Sequence, residues 1–447
     1  MTRTNPEPDL PPHPGATRSS ALLTDSYELT MLTAALRAGT AHRAATFEVF
    51  ARSLPHGRRY GVVAGTSRLL KLLGEFAFGP DELAALPPEV DDATREWLRA
   101  YRFSGDVEGY PEGELYFPGS PVLTVRGSFA ECVLLETLAL SVLNHDSAIA
   151  SAASRMVTAA AGRRLIEMGS RRTHEEAAVA CARAAYLAGF DATSNLEAGR
   201  RHGVPTSGTS AHSFTLLHTS SDGPDEAAAF RAQVDALGVG TTLLVDTYDI
   251  TAGIATAVRV AGTELGAVRI DSGDLGVLAV QARAQLDSLG ATKTRVVLSG
   301  DLDEHSIAGL RAEPVDAYGV GTSLVTGSGA PTAGMVYKLV EVDGVPVAKR
   351  SSHKESRGGA KRAVRQARDT GTVLAEVVHP AEQAPERGPH DRSLVVPMVD
   401  AGRVRTDLPS LAESRRHLAD ALVSLPWEGL KLSRGEPAIP TTFVGQK

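Results

Sequence analysis

The chain has 447 residues, 43% hydrophobic and 22% charged, with a formal net charge of −7. That length suits about two to three domains, or one large barrel with an attached domain. The acidic balance excludes a bulk nucleic-acid binder, and the two distant cysteines, Cys132 and Cys181, exclude a disulfide framework or a cysteine metal site.

The first 20 residues are polar and Pro-rich without the apolar core of a signal peptide, which predicts a disordered leader over 1–20. No uncharged apolar run reaches the ~18 residues of a membrane span. Val133 to Leu143 comes nearest and is broken by Glu136. A cytoplasmic protein that binds neither membrane nor nucleic acid is expected. Thr24 or Asp25 caps a first helix that runs through Met31, Leu32 and Leu36 and stops at Gly39. Thr46–Phe50 alternates as a strand, a helix follows over Thr66–Phe76, and short strands broken by Gly and Pro lie between Gly105 and Phe129. Residues 21–130 therefore read as an N-terminal α+β domain.

A long Ala-rich helical region then opens a run of β–α alternation, assigned to a catalytic domain over 131–345. Its strands are predicted at Arg164–Met168, Gly189–Thr193, Pro205–Gly208, Thr241–Val245, Ala267–Ile270, Arg295–Leu298 and Ala317–Val320. Helical patterns separate most of them: His174–Ala188, Asp225–Leu237, Ile250–Ala261, Leu275–Leu289 and Asp303–Leu310. This order predicts an α/β barrel, with an open doubly wound sheet as the alternative. A hairpin from Met335 to Ala348 leads into the C-terminal segment, 346–447. Its basic stretch Lys349–Arg368 reads either as a solvated arm or as a polyphosphate contact. The tail helix Leu408–Leu425 is expected to pack back on the N-terminal domain.

In a barrel, residues just after the strands gather on one face. Here nearly every strand end carries hydroxyls, arginines, carboxylates or glycines. Val204–Phe214 reads as a strand end opening into a loop with free backbone N–H groups, and His212 in it suits acid, base or nucleophile chemistry. An ordinary turn histidine is the plain alternative. Asp271 and Asp274 flank a glycine and suit ribose hydroxyls or Mg²⁺, although Asp274 also fits a helix N-cap. Ser299-Gly300-Asp301 and Gly319–Ser323 follow late strands, where barrels bind phosphate. Arg171-Arg172 offers forks for a carboxylate or a diphosphate. Walker, dinucleotide, zinc-helix and nucleophile-elbow patterns are all missing. The set fits transfer at the anomeric carbon of a ribosyl diphosphate, with carboxylates facing an oxocarbenium-like centre.

Thr24–Tyr27, Asn144 with Ser147–Ala150, Ser170–Arg172, Gly208–Ser213, Asp271–Asp274 and Gly319–Thr322, in that order, resemble nicotinate phosphoribosyltransferase. The resemblance implies an irregular seven-stranded α/β barrel with an adjoining α+β domain formed by N-terminal and C-terminal segments, and a homodimer. It implies formation of nicotinate mononucleotide and diphosphate from nicotinate and 5-phosphoribosyl 1-diphosphate in NAD salvage, coupled to ATP hydrolysis with Mg²⁺. By motif, His212 is the histidine phosphorylated by ATP, and Asp271 is a second catalytic residue that, with Asp274, serves the ribose. Tyr27 stacks on the pyridine ring, while Asn144, Arg171, Arg172, Thr209, Ser210 and Asp274 bind substrate. Asp271 and Asp274 serve the metal, and Ser299, Gly300, Gly321, Thr322 and Ser356 serve phosphate. Ser356-Arg357-Gly358-Gly359 departs from the family's Thr-Leu-Pro-Gly loop. The alternatives are a nicotinamide-specific enzyme of the same fold and a non-catalytic barrel that binds phosphoribosyl compounds.

Overall fold

A computed structural model describes residues 19–349, 357–383 and 387–445. Its longest element is the helix Glu136–Ala160, where alanines and serines recur on every face and let neighbours approach closely. The N-terminal half, with Leu138, Val142 and Leu143, sits in one hydrophobic core. The C-terminal half, with Ile149, Ala153 and Met156, sits in the other. Small hydroxyls fasten it: Ser147 and Ser151 accept hydrogen bonds from the backbone N–H groups of Ala64 and Val62. The stretch Phe129–Ala160 is long and apolar enough to cross a membrane, but 67% of its most apolar window is buried inside the molecule. Packing accounts for that apolarity.

One core lies under a seven-stranded sheet in the order Val345–Pro346, Met335–Val342, Ala44–Ala51, Leu123–Ser128, Asp106–Gly109, Val396–Asp400, Arg403–Val404. Strands from both ends of the chain thus share one antiparallel sheet. The other core lies inside a curled parallel sheet of six strands, Thr242–Leu244, Ala267–Ile270, Arg295–Ser299, Ala317–Val320, Arg164–Glu167 and Ala192–Thr193. The fold is mixed α/β, as expected, and its parallel sheet curls as a half-barrel of six strands among the described residues, one short of the irregular seven-stranded barrel. The seventh strand, predicted at Pro205–Gly208, is reduced to a single bridge between Thr193 and Thr206. Pro205 has no N–H for a ladder, and no pairing joins this segment to Thr242–Leu244 among the described residues.

The tail helix Leu411–Val423 lies chiefly against Glu175–Ala188, where Arg415 donates to the carbonyls of Tyr186, Gly189 and Phe190. It also touches the N-terminal segment through His417, whose Nε2 is 2.9 Å from Glu114. The basic stretch divides. Residues 350–356, with Ser356, lie outside the described residues. Beyond them Lys361–Ala367 is a strand, with Lys361 paired to Glu48, Arg362 to Glu108 and Arg365 to Glu376. These three cations are engaged in ion pairs within the fold.

Candidate active site

A cavity of about 440 Å³ opens at the C-terminal ends of the parallel strands. Arg164–Glu167 leads into Ser170, Arg171 and Arg172, and Arg295–Ser299 leads into Gly300 and Asp301. Ala317–Val320 leads into Gly321 and Thr322, and the loop after Thr206 supplies Thr209 and Ser210. Asp271 closes the wall. The segments converge because parallel strands all end on one side of the sheet, which gathers residues far apart in the chain. Gly300 has φ 107°, and a Cβ there would lie 2.2 Å from the carbonyl oxygen of Asp271, so only glycine lets these two strand ends touch.

Arg269, 9% exposed, is the hub of the wall. Its Nε donates to Ser299 (2.7 Å), Nη1 to Thr209 (2.8 Å) and Nη2 to Asp271 Oδ1 (2.8 Å). Burial pushes the Asp271 carboxyl up, but hydrogen bonds from Ser299 and Arg269 outweigh it, aided by the charges of Arg269 and His212, and hold it below the usual range. Asp271 is therefore ionised, and its Oδ2 makes no hydrogen bond among the described residues. The neighbouring carboxylate, Asp246, has only 1% of its side chain exposed. Its Oδ2 accepts from the Asp271 N–H (2.8 Å) and the Ser272 hydroxyl (2.9 Å), while its Oδ1 is buried without a hydrogen-bond partner.

His212 starts the short helix His212–Leu217 instead of lying mid-loop. Its Nδ1 is 3.1 Å from Thr247 Oγ1, and its Nε2 is 3.9 Å from the unpartnered Asp246 Oδ1, with 41% of the side chain exposed. One imidazole thus faces a hydroxyl, a buried carboxylate and solvent beside the pocket.

Nine residues given a role by the resemblance line the cavity: Arg171, Arg172, Thr209, Ser210, Asp271, Ser299, Gly300, Gly321 and Thr322. Asn144 does not; its amide accepts from Met335 N (2.7 Å) and donates to Met335 O (3.1 Å), so it pins the long helix to a strand. Asp274 caps Leu275–Ser288, accepting from Val277 N, and also stays outside. Tyr27 lies on the first helix, 43% exposed, away from the lining. No cluster of three or more His, Cys, Asp or Glu side chains suited to a metal occurs among the described residues. Asp271 Oδ2 suits a Mg²⁺ shared with substrate phosphates, the usual way that ion is held, while Asp274 lies outside the lining. Sequence reasoning placed Asp246 and Thr247 only among the polar residues at strand ends, without a specific role, and gave none to Arg269. The signal for Arg269 was a lone charge within a buried parallel strand, whose residues are usually apolar throughout.

Hydroxyls, guanidiniums and the carboxylates of Asp271 and Asp301 at the ends of parallel strands make up the lining of an α/β enzyme's site. Residues 22–144 match the nicotinate phosphoribosyltransferase (NAPRTase) N-terminal domain, and residues 163–373 match the NAPRTase family. Nicotinate phosphoribosyltransferase pncB1 of Mycobacterium tuberculosis is 68% identical over 428 residues, 95% of each chain. The crystal structure of human nicotinic acid phosphoribosyltransferase superposes with a TM-score of 0.79 at 28% identity, covering 95% of this chain and 98% of that one. A nicotinate-nucleotide pyrophosphorylase structure from Pyrococcus furiosus gives 0.76 at 26% identity, covering 91% and 95%. The chain belongs to the nicotinate phosphoribosyltransferase family. It is a transferase that attaches a phosphoribosyl group to nicotinate in NAD salvage.

Proposed function

We propose that the strand-end cavity performs this transfer from 5-phosphoribosyl 1-diphosphate and that His212 couples it to ATP. The observation that carries the reading is the wall held by Arg269, which joins Thr209, Asp271 and Ser299 and stands beside the imidazole of His212. Arg171, with Arg172, Thr209 and Ser210, receives the nicotinate carboxylate; a guanidinium fork favours that acid over nicotinamide. The ring nitrogen then attacks the anomeric carbon as its bond to diphosphate breaks. Ionised Asp271 stabilises the positive charge that develops at the sugar. Ser299, Gly300, Gly321 and Thr322 offer hydroxyl and backbone donors to the 5-phosphate.

Mg²⁺, held by Asp271 Oδ2 and substrate oxygens, would supply charge neutralisation for the diphosphate. A ring nitrogen of His212 attacks the terminal phosphorus of ATP as its bond to ADP breaks, and water later releases the group as inorganic phosphate; Thr247 and Asp246 flank the two ring nitrogens. The added charge beside the cavity changes substrate affinity and links ATP hydrolysis to product formation. Tyr27 lies outside the cavity, so its stacking on the pyridine ring requires a second copy of the chain, as in a homodimer.

Single-turnover assays with labelled ATP test the coupling. His212→Asn is expected to lose ATP hydrolysis and histidine labelling while keeping slow transfer. ATP stimulation that persists in this variant refutes the role.

A further inference from the structure

A second cavity, of about 580 Å³, shares no lining residue with the strand-end pocket. It lies among the helices Thr66–Gly74, Glu175–Ala188, Leu196–His202 and Leu411–Val423. Its charged lining is entirely cationic: Arg68, Lys71, Arg183, Arg200 and Arg201, with His202 as the remaining titratable group. The matching carboxylates are not part of the lining. Glu112 holds Arg183 through two hydrogen bonds of 2.8 and 2.6 Å, and Asp146 holds Arg68 at 2.8 and 3.2 Å. Glu176 and Glu197 hold Arg201, and Glu197 also holds Arg200.

The Arg183–Glu112 pair is buried, with side-chain exposures of 5% and 4%. Burying such a pair is expensive in desolvation and contributes little net stability. What it provides is a guanidinium fixed in place, with Ser67 as a further partner at 3.0 Å. Hydrogen-bonding capacity remains at Arg68 Nη1, Arg200 Nη1 and the Lys71 ammonium, none of which has a hydrogen-bond partner among the described residues. Burial, then the charges of Arg183, Arg68, Arg201 and Lys71, push the His202 imidazole down to about 4.

We propose that this cavity is a binding site for a small polyanion bearing two or more phosphate groups. Its size falls within the ~300–1,000 Å³ typical of small-molecule sites, and guanidinium forks match phosphate oxygens. The helix Leu196–His202 connects it to the catalytic pocket over roughly 10 Å. Asn195, the N-cap of that helix, donates to Ser170 at the catalytic rim (3.0 Å), while Arg200, Arg201 and His202 at its other end line the second cavity.

Isothermal titration of the full chain with inorganic tripolyphosphate tests the site, using variants that separate the two cavities. Binding is expected to persist in Arg171→Glu/Arg172→Glu. It is expected to weaken at least tenfold in Lys71→Glu/Arg200→Glu, with the KM for nicotinate unchanged. Should the latter variant lose activity through misfolding, Lys71→Gln/Arg200→Gln decides, with a severalfold weakening expected. Affinity that is unchanged by neutralising Lys71 and Arg200, or lost entirely with Arg171 and Arg172, overturns the proposal.

Discussion

At the scale of single residues, Arg269 shows how much of the site depends on one planar group. Its three donors span three chain segments, and lysine keeps the charge but not the fork. Arg269→Lys forfeits two charge-assisted hydrogen bonds, together about 3 kcal/mol, so kcat/KM is expected to fall roughly a hundredfold. Steady-state kinetics with nicotinate measure this, and a fall below tenfold would mean that the wall is not organised by Arg269. Much of the cavity was readable from sequence because polar residues at strand ends have no packing reason to recur there. Arg269 was harder to read, since it sits inside a strand and its partners come from elsewhere. Asn144 shows the opposite case. A motif match cannot reveal that an amide is occupied by the backbone of Met335, 191 residues further along.

Among elements, the first helix, Ser26–Arg37, depends on a buried carboxyl. Glu28 is fully buried, accepts from the N–H (2.9 Å) and hydroxyl of Thr137 through Oε1, and leaves Oε2 without a partner. Burial pushes this carboxyl from its ordinary 4.5 up to about 7, against the pull of the Thr137 hydrogen bonds. A carboxyl raised in the folded state holds its proton there longer than in the unfolded chain. Stability therefore falls as pH rises from 4.5 to about 7 and levels off above. Glu28→Gln mimics the protonated form, so it is expected to raise Tm at pH 8 and leave it nearly unchanged at pH 5. Thermal melts at both values check this; an equal shift at each pH would assign the effect to packing alone. The helix and its Asp25 cap were legible because 3.6-residue periodicity and a capping residue are local signals. Parallel strands were legible for the same reason, with Ala267–Ile270 and Ala317–Val320 found at the predicted bounds. Pro205–Gly208 was overread: an extended pattern says nothing about whether a neighbour lies close enough to pair.

Across the whole molecule, the chain is closed by contacts that no local pattern announces. Lys361–Ala367 pairs with Val373–Pro380, and Thr441–Phe443 joins the same sheet in parallel. Arg365, 1% exposed, stands at the junction. It donates to Glu376 (2.7 Å) and to the Leu115 carbonyl (2.9 Å), and it pairs with Glu114 at 3.5 Å. Glu376 also accepts from Tyr110, and Glu114 from Arg392, with His417 alongside. One buried network therefore ties the N-terminal strands, the C-terminal sheet and the tail helix together. Burial pushes the Glu114 carboxyl up, but His417, Arg365 and Arg392 outweigh it and hold it well below its ordinary 4.5. The sign is opposite to that of Glu28: this stabilisation is present above 4.5 and is lost as pH falls below it. Arg365→Met removes the central cation and leaves two buried carboxylates short of a partner, for a loss of about 3–5 kcal/mol. Adding Glu376→Gln takes away one of the uncompensated charges, so the double variant should recover part of that loss. Urea unfolding at pH 7 and fixed protein concentration measures both. A single-variant loss under about 1 kcal/mol, the scale of an exposed ion pair, would mean that packing of the sheets, and not this network, holds the two ends of the chain together.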